Sequence, residues 1–268
     1  MHLDVWGARG SHPASGMAFS QFGHHTACLS VRSGDHLLVL DAGTGAAALA
    51  RALEASPPRA VDILLSHFHH DHVMGLPYLL MSLPRDTALR IHAAPEGSPG
   101  LEALVAAILS PPYFPAGIAG ILGRTACREH RAGAAFEAGG LEVCTHPLEH
   151  PGGSTAFRVS DGARSFVYAT DLEQPEQPDA AWIAFARGAD LLVHDTMFTE
   201  MEWETRRGWG HATIEGALQL ADAAGVLRLV GFHHNPVHDD ELMVLREREL
   251  VRRRPGSGLA REGESLSV

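Results

Sequence analysis

Residues 64–75 read LLSHFHHDHVMG. An apolar run ends at Leu65, and His67, His69, Asp71 and His72 then fall within six positions. The chain holds 18 His in 268 residues, so some clustering comes by chance and the arrangement has to decide. His67 and His69 alternate, so on an extended strand end they point to the same side. Asp71 and His72 follow where the chain turns into a helix. Four donors can then converge. Imidazole and carboxylate together suit Zn, Mn or Fe. The segment can feed two ions, His67 and His69 one, Asp71 and His72 the other.

Two ions need more ligands, and the same pattern supplies them. His150 closes CTHPLEH, Asp171 closes FVYATD and His233 closes LRLVGFH. Each follows an apolar run, where a side chain leaves the sheet edge for a shared cleft. A lone HxH carries little weight. The full HFHHDH after an apolar strand, with three more ligand types at later strand ends, is specific. His146, His234 and His238 lie close enough to be alternatives to their neighbours.

The rest of the chain sets bounds. No apolar run approaches the eighteen or so residues of a membrane span. MHLDVWGARG has no basic region followed by an apolar one, so no secretory signal is visible and a cytoplasmic address is expected. Cys28, Cys127 and Cys144 form no CxxC pair and are expected to be free, mostly buried thiols. Every basic side chain is Arg, and the net charge is −11. That balance argues against broad binding of nucleic acid, which needs a basic footprint. It leaves room for a small phosphorylated substrate, because bound dications make the local field positive. WIAFARG and MEWETRRGW are surfaces on which a homodimer could form.

Along the chain, HLDVW, ACLSVRS, HLLVLDAG, AVDILLS and ALRIHAA read as strands. TGAAALARALEA and GLEALVAAIL read as helices, and another runs from near Asp71 through GLPYLLMSL. The second half repeats the rhythm: strands LEVCTHPLEH, TAFRVS and RSFVYATD, helix DAAWIAFARG, strand ADLLVHDT, helix TIEGALQLADAAG, strand LRLVGFHH, helix DDELMVLREREL. No linker separates the halves. The expectation is one α/β domain over residues 1–254, packed sheets with helices outside, and a solvated tail over 255–268.

HFHHDH matches HxHxDH, and the chain resembles the metallo-β-lactamase superfamily over nearly its whole length. The resemblance implies a four-layered αβ/βα sandwich with metals at one edge. It implies one ion held by His67, His69 and His150, the other by Asp71, His72 and His233, and Asp171 bridging both. A bridging Asp resembles the hydrolase branches; true lactamases use Cys near that position. HDTMF, with Asp195, resembles the HEATF of the tRNA 3′-end endonucleases (RNase Z). GWGHATIEGALQLA, with His211, resembles their GHST…A…A and implies an Asp195–His211 pair beside the metals.

The chain also departs from RNase Z. Neither the interval His150–Asp171 nor Asp171–His211 holds the long basic arm with which that enzyme grips tRNA. SPPYFP, WGARGS and HPGGST resemble segments of small phosphodiesterase-like relatives. Residues 98–122 become a candidate lid or pocket wall. Asp41 of LDAGTG is placed to orient a ligand His by accepting its N–H. The backbone of GARGS could approach phosphate, and His24 and His25 could reach the cleft mouth, His24 being read as idle.

The resulting expectation is a dinuclear hydrolase with two divalent ions, zinc foremost and Mn or Fe next. It acts on a cyclic nucleotide or other small phosphodiester with water activated on the metals. Asp71 manages the nucleophile's proton, and His211, oriented by Asp195, serves the leaving oxygen. RNA 3′-end processing, lactone or thioester hydrolysis, and a non-hydrolytic diiron redox or sensor protein are the alternatives.

Overall fold

The computed structural model describes residues 1–94, 100–115 and 119–268. Two sheets of seven strands carry the chain. The first half gives β1 (His2–Gly7), β2 (Cys28–Ser33), β3 (His36–Leu40), α1 (Ala46–Leu53), β4 (Ala60–Leu64), α2 (His70–Val73), α3 (Leu76–Ser82), β5 (Ala88–Ala93), α4 (Leu101–Ile108), α5 (Ala119–Leu122) and β6 (Thr125–Glu129). The second gives β7 (Ala135–Ala138), β8 (Leu141–Leu148), β9 (Ser154–Ser160), β10 (Ser165–Ala169), α6 (Ala180–Ala186), β11 (Leu191–Asp195), α7 (Glu200–Thr205), α8 (Ile214–Ala224), β12 (Arg228–Phe232), α9 (Asp240–Arg253), β13 (Gly258–Leu259) and β14 (Ser265–Ser267).

The sheet orders are β14-β1-β2-β3-β4-β5-β6 and β13-β12-β11-β10-β9-β8-β7. Within each, antiparallel pairs give way to a parallel block, β3 to β6 and β10 to β13. Strands of a parallel block are covered on both faces and read as unbroken apolar runs. AVDIL of β4 and SFVYA of β10 are buried at every position. Leu29, Leu38, Leu40, Phe157, Phe166 and Phe232 fill the space between the sheets. Leu49, Leu76, Leu79 and Val105 pack helices outside the first sheet, and Trp182, Leu218, Leu220 and Met243 pack them outside the second. The result is the expected four-layered αβ/βα sandwich.

Parallel register sets the functional edge. Leu40 pairs with Leu64, so Asp41 and the segment after β4 emerge side by side. Ala169 pairs with His194, and Asp195 with Phe232, so Asp171, Asp195 and His233 emerge together from the other sheet.

Several expectations need correcting. Residues 255–268 are not a solvated tail. β13 extends one sheet beside β12, β14 extends the other beside β1, and Leu259, Ala260 and Leu266 are buried. The Gly-, Ser- and Arg-rich composition hides two strands too short to show a period. Their backbone groups satisfy both sheet edges, and Glu262 takes the N–H groups of His24 and His25. β6 and β7 were likewise not evident as strands. The helix expected from Asp71 onward is two, α2 and α3, separated at Met74–Gly75. The thiols are free, but only Cys28 is buried; Cys127 and Cys144 are half-buried.

Among the described residues, no helix is long and apolar enough to cross a membrane.

Candidate metal centre

The side chains expected as ligands come together at the shared edge. Ligand atoms of His67, His69, His150 and Asp171 lie within 4.8 Å of one another, as do those of Asp71, His72, Asp171 and His233. Asp171 belongs to both groups through different oxygens. Its Oδ1 faces His67 and His150 at 3.7 Å each, and its Oδ2 faces His72 and His233 at 3.2 Å each. One carboxylate thus faces both groups.

The backbone bends sharply to make this possible. Asp41, Asp171 and His233 have φ of 56°, 57° and 57°. The left-handed region is uncommon for non-glycine residues, and Asp and His are among those that tolerate it. Each bend ends a strand path and turns the side chain into the cleft, a strain of about 1–3 kcal/mol that the surrounding packing sustains.

The donor set fits a divalent ion. In the second group, His72 Nε2 lies 3.2 Å from Asp71 Oδ2, Asp171 Oδ2 and His233 Nε2. A tetrahedral shell with bonds of about 2.0 Å has corners roughly 3.3 Å apart. In the first group, the buried Nε2 of His67 has no hydrogen-bond partner. His69 Nδ1 and His150 Nε2 face each other at 3.1 Å. That spacing also suits two ligands of one cation. Burial, helped by neighbouring His72 and His150, pushes the His67 imidazole well below its ordinary value. Burial lowers His69 and His150 as well. All three thus stay neutral, the form with a free lone pair. Burial works against charge on Asp71 and Asp171, but His72 and His233 outweigh it and hold both carboxyls well below the usual range.

Hydrogen bonds behind the ligands fix their tautomers. His72 donates Nδ1–H to Asp41 Oδ2 at 2.8 Å, the role expected for Asp41. The same carboxylate accepts from Ser66 N, Ser66 Oγ and Tyr168 Oη. His150 donates Nδ1–H to the carbonyl of Gly210 at 2.8 Å. Gly210 is in turn held by Glu173, whose carboxylate accepts its N–H at 2.7 Å.

Ser66, Tyr168, Glu173 and Gly210 were not singled out in the sequence. A buried Tyr needs a partner for its hydroxyl, and that was the one available signal. The GARGS loop, read as able to approach phosphate, contacts two of the candidate ligands. Ser11 N donates to Asp71 Oδ2 at 2.7 Å, and a Cβ on Gly10 would stand 2.3 Å from His233 Cε1. The loop is a backing plate for two ligands.

Asp195 and His211 meet beside the centre. His211 donates Nδ1–H to Asp195 Oδ2 at 2.8 Å. Asp195 also accepts from Met197 N and Asp171 N, at 2.9 and 3.2 Å. Burial opposes charge on His211, but Asp195, then Asp171 and Asp71, raise its imidazole to about 9.

The neighbouring histidines stand apart from these groups. His146 stacks on Trp182, His234 bonds to the Ala260 carbonyl, and His238 pairs with Glu202. His24 contacts the Gly16 carbonyl, and His25 lies near Thr44 and Glu262. Of the proposed lid, residues 98–99 and 116–118 lie outside the described residues. In the remainder, Leu104, Ile108, Tyr113 and Phe114 wall an apolar cavity of about 370 Å³ with Phe68 and Tyr78.

Two sheets that gather His and Asp side chains at one edge define a metal-dependent hydrolase. The chain belongs to the β-lactamase superfamily: the family model for the beta-lactamase superfamily domain matches residues 36–234. It is similar to a protein of Bacillus subtilis (strain 168) named "Probable metallo-hydrolase YhfI", with 26% identity over 90% of each chain. It superimposes on the crystal structure of YhfI with a TM-score of 0.73 over 99% of this chain and 98% of the other, at 22% identity. A ribonuclease Z of Parasynechococcus marenigrum (strain WH8102) is 30% identical over 77% of this chain and 80% of its own. A diphosphatase of the PhnP family superimposes with a TM-score of 0.71 and 18% identity, covering 99% of this chain and 96% of the other.

Proposed function

We propose that the protein is a phosphodiesterase that cleaves a small, nucleotide-sized diester at a dinuclear centre. His67, His69 and His150 hold one divalent ion, Asp71, His72 and His233 the other, and Asp171 spans the two. Zinc is the favoured ion, with Mn and Fe open to the same donors. When bound, such a pair supplies Lewis acidity and acidifies a coordinated water. The protein's own residues do the rest. Asp71 commits Oδ2 to Ser11, His72 and His233, which leaves Oδ1 to take the nucleophile's proton. Asp195 holds His211 through Nδ1, so Nε2 is the atom that donates to the departing oxygen.

The observation that carries this reading is the Asp195–His211 pair, 2.8 Å apart beside the bridging carboxylate. Lactone opening puts less demand on a proton donor than loss of an alkoxide from phosphorus. The relatives named ribonuclease Z and diphosphatase act on phosphate esters or anhydrides by their names, which supports the same class. RNA 3′-end processing is the second reading, favoured by the ribonuclease Z similarity. A net charge of −11 counts against it, because RNA backbones bind to basic surfaces.

The test is turnover of bis-p-nitrophenyl phosphate and of cyclic nucleotides by protein supplied with Zn or Mn. A lactone and a thioester run alongside. Turnover confined to the lactone or thioester overturns the proposal.

A further inference from the structure

An exposed indole stands at the rim of the centre. Trp209 is 62% exposed, although it lies one residue from Gly210 and two from His211. Exposure here is not looseness. Trp209 N–H closes a turn onto the Arg206 carbonyl at 3.1 Å. The next residue is pinned from both sides, its N–H on Glu173 and its carbonyl on His150. The residue after that is held by Asp195. These hydrogen bonds anchor the loop that presents Trp209.

Arg206 completes the surface. Its guanidinium lies 5.9 Å from the Trp209 ring centroid and 5.4 Å from that of Phe198. Phe198 in turn meets His211 edge to face, with centroids 5.5 Å apart. Arg206 thus links the indole to the residue placed at the leaving oxygen. Glu202, 3.8 Å away, is a distant partner for that charge. By contrast, Trp203 on α7 has its face covered by Arg207 at 4.0 Å. Over Trp209 the guanidinium stands farther off, and the indole stays largely exposed, two Cα steps of about 3.8 Å from His211.

We propose that Trp209, flanked by Arg206, is the stacking platform for the nucleobase of a nucleotide diester whose phosphate lies at the metal centre. This rests on the phosphodiesterase reading above and narrows it to a base-bearing substrate. The occupant is argued from placement. Gly210, whose carbonyl accepts from His150, joins Trp209 to His211, so the indole and the centre are presented by one loop. A cation beside a stacked ring adds attraction through the π face and favours the anionic phosphate, in a chain that is otherwise acidic. Stacking acts on binding and leaves the chemical step alone, which makes Trp209 a specificity residue.

The experiment uses metal-loaded protein and the variants Trp209→Ala and Trp209→Phe. Substrates are 3′,5′-cyclic AMP and a diester with no base, glycerol 1,2-cyclic phosphate. Trp209→Ala should raise KM for cyclic AMP about tenfold, with kcat kept within about twofold. It should leave KM for the base-free diester unchanged, and Trp209→Phe should restore most of the loss. Separately, AMP should quench the indole fluorescence of the wild type, ribose 5-phosphate should not, and the AMP response should vanish in Trp209→Phe. Equal KM changes for both diesters, or none, overturn the proposal. So does a Trp209→Ala protein altered only in oligomeric state. If neither diester nor bis-p-nitrophenyl phosphate turns over, the phosphodiesterase reading fails, and fluorescence alone decides the platform: AMP-specific quenching of Trp209 upholds it, and its absence removes it.

Discussion

Tyr168 donates its hydroxyl to the Asp41 carboxylate at 2.7 Å, reaching from the second sheet to the first. The same oxygen of Asp41 orients His72. Burial, then Asp41 itself, pushes the Tyr168 hydroxyl well above its ordinary value, so it remains a donor. One bond thus joins the two halves of the sandwich to the tautomer of a ligand. Tyr168→Phe should fold, lose about 2 kcal/mol of stability and bind metal about tenfold more weakly. Competition with a chelator reads the second effect. Wild-type metal affinity in Tyr168→Phe would sever this link.

Asp171 presents Oδ1 to one ligand group and Oδ2 to the other. Asp171→Ala should therefore depress metal content on both sides and cut turnover by orders of magnitude. Elemental analysis of the purified variant beside wild type is the check. Two ions retained per chain would show that Asp171 does not bridge.

His211 is held by Asp195, packs against the rings of His150 and His233 with centroids 5.4 and 5.1 Å away, and belongs to neither of the two four-residue groups. His211→Ala should keep its metal and lose about 10²–10⁴ in rate on an alkoxide leaving group. The loss should be much smaller with p-nitrophenolate, which departs without a proton. Equal losses on both would mean that His211 is no proton donor.

Four of the candidate ligands were legible because each follows the end of a strand. His67, Asp171 and His233 follow runs whose burial the composition announces, and parallel register carries those ends to one edge, while His150 follows the end of antiparallel β8. What supports them was not legible. Ser11 and Gly210 act through backbone groups, which leave no residue-type signature. Tyr168 looks like any core aromatic until the opposite sheet supplies Asp41. The closing strands β13 and β14 are stabilised by edge pairing and by single side chains such as Leu266, so no hydrophobic period marks them.

Gly210 has φ 83°, and a Cβ there would come within 2.2 Å of His150 Nδ1. Gly210→Ala combines a left-handed backbone with a clash against a ligand. It should lower stability by more than about 1 kcal/mol and weaken the ion on the His67, His69 and His150 side. Metal titration by calorimetry should show one of two binding events shifted. A Gly210→Ala protein with both events unchanged would contradict the close approach.

Away from the centre, Asp62 is buried and accepts from Arg90 at 2.6 and 2.7 Å, from His92 at 2.8 Å and from Gly139 N at 3.0 Å. Burial opposes its charge, but the Arg90 and His92 hydrogen bonds prevail and hold the carboxyl well below the usual range. A depressed carboxyl stabilises the fold above its unfolded value, near 4, and that contribution fades as pH falls toward the folded value. Asp62→Asn should cost about 2 kcal/mol at neutral pH, with the gap to wild type closing below about pH 4. Thermal unfolding of both proteins across this range measures the gap. A gap independent of pH would mean that charge on Asp62 is not what stabilises.

One edge of the sandwich is proposed to hold two ions bridged by Asp171. Metal content per chain, determined on protein saturated with Zn and then freed of excess, tests it most directly. Two ions per wild-type chain is the expected result. One or none, with the fold intact, would contradict a dinuclear centre built from His67, His69, Asp71, His72, His150, Asp171 and His233.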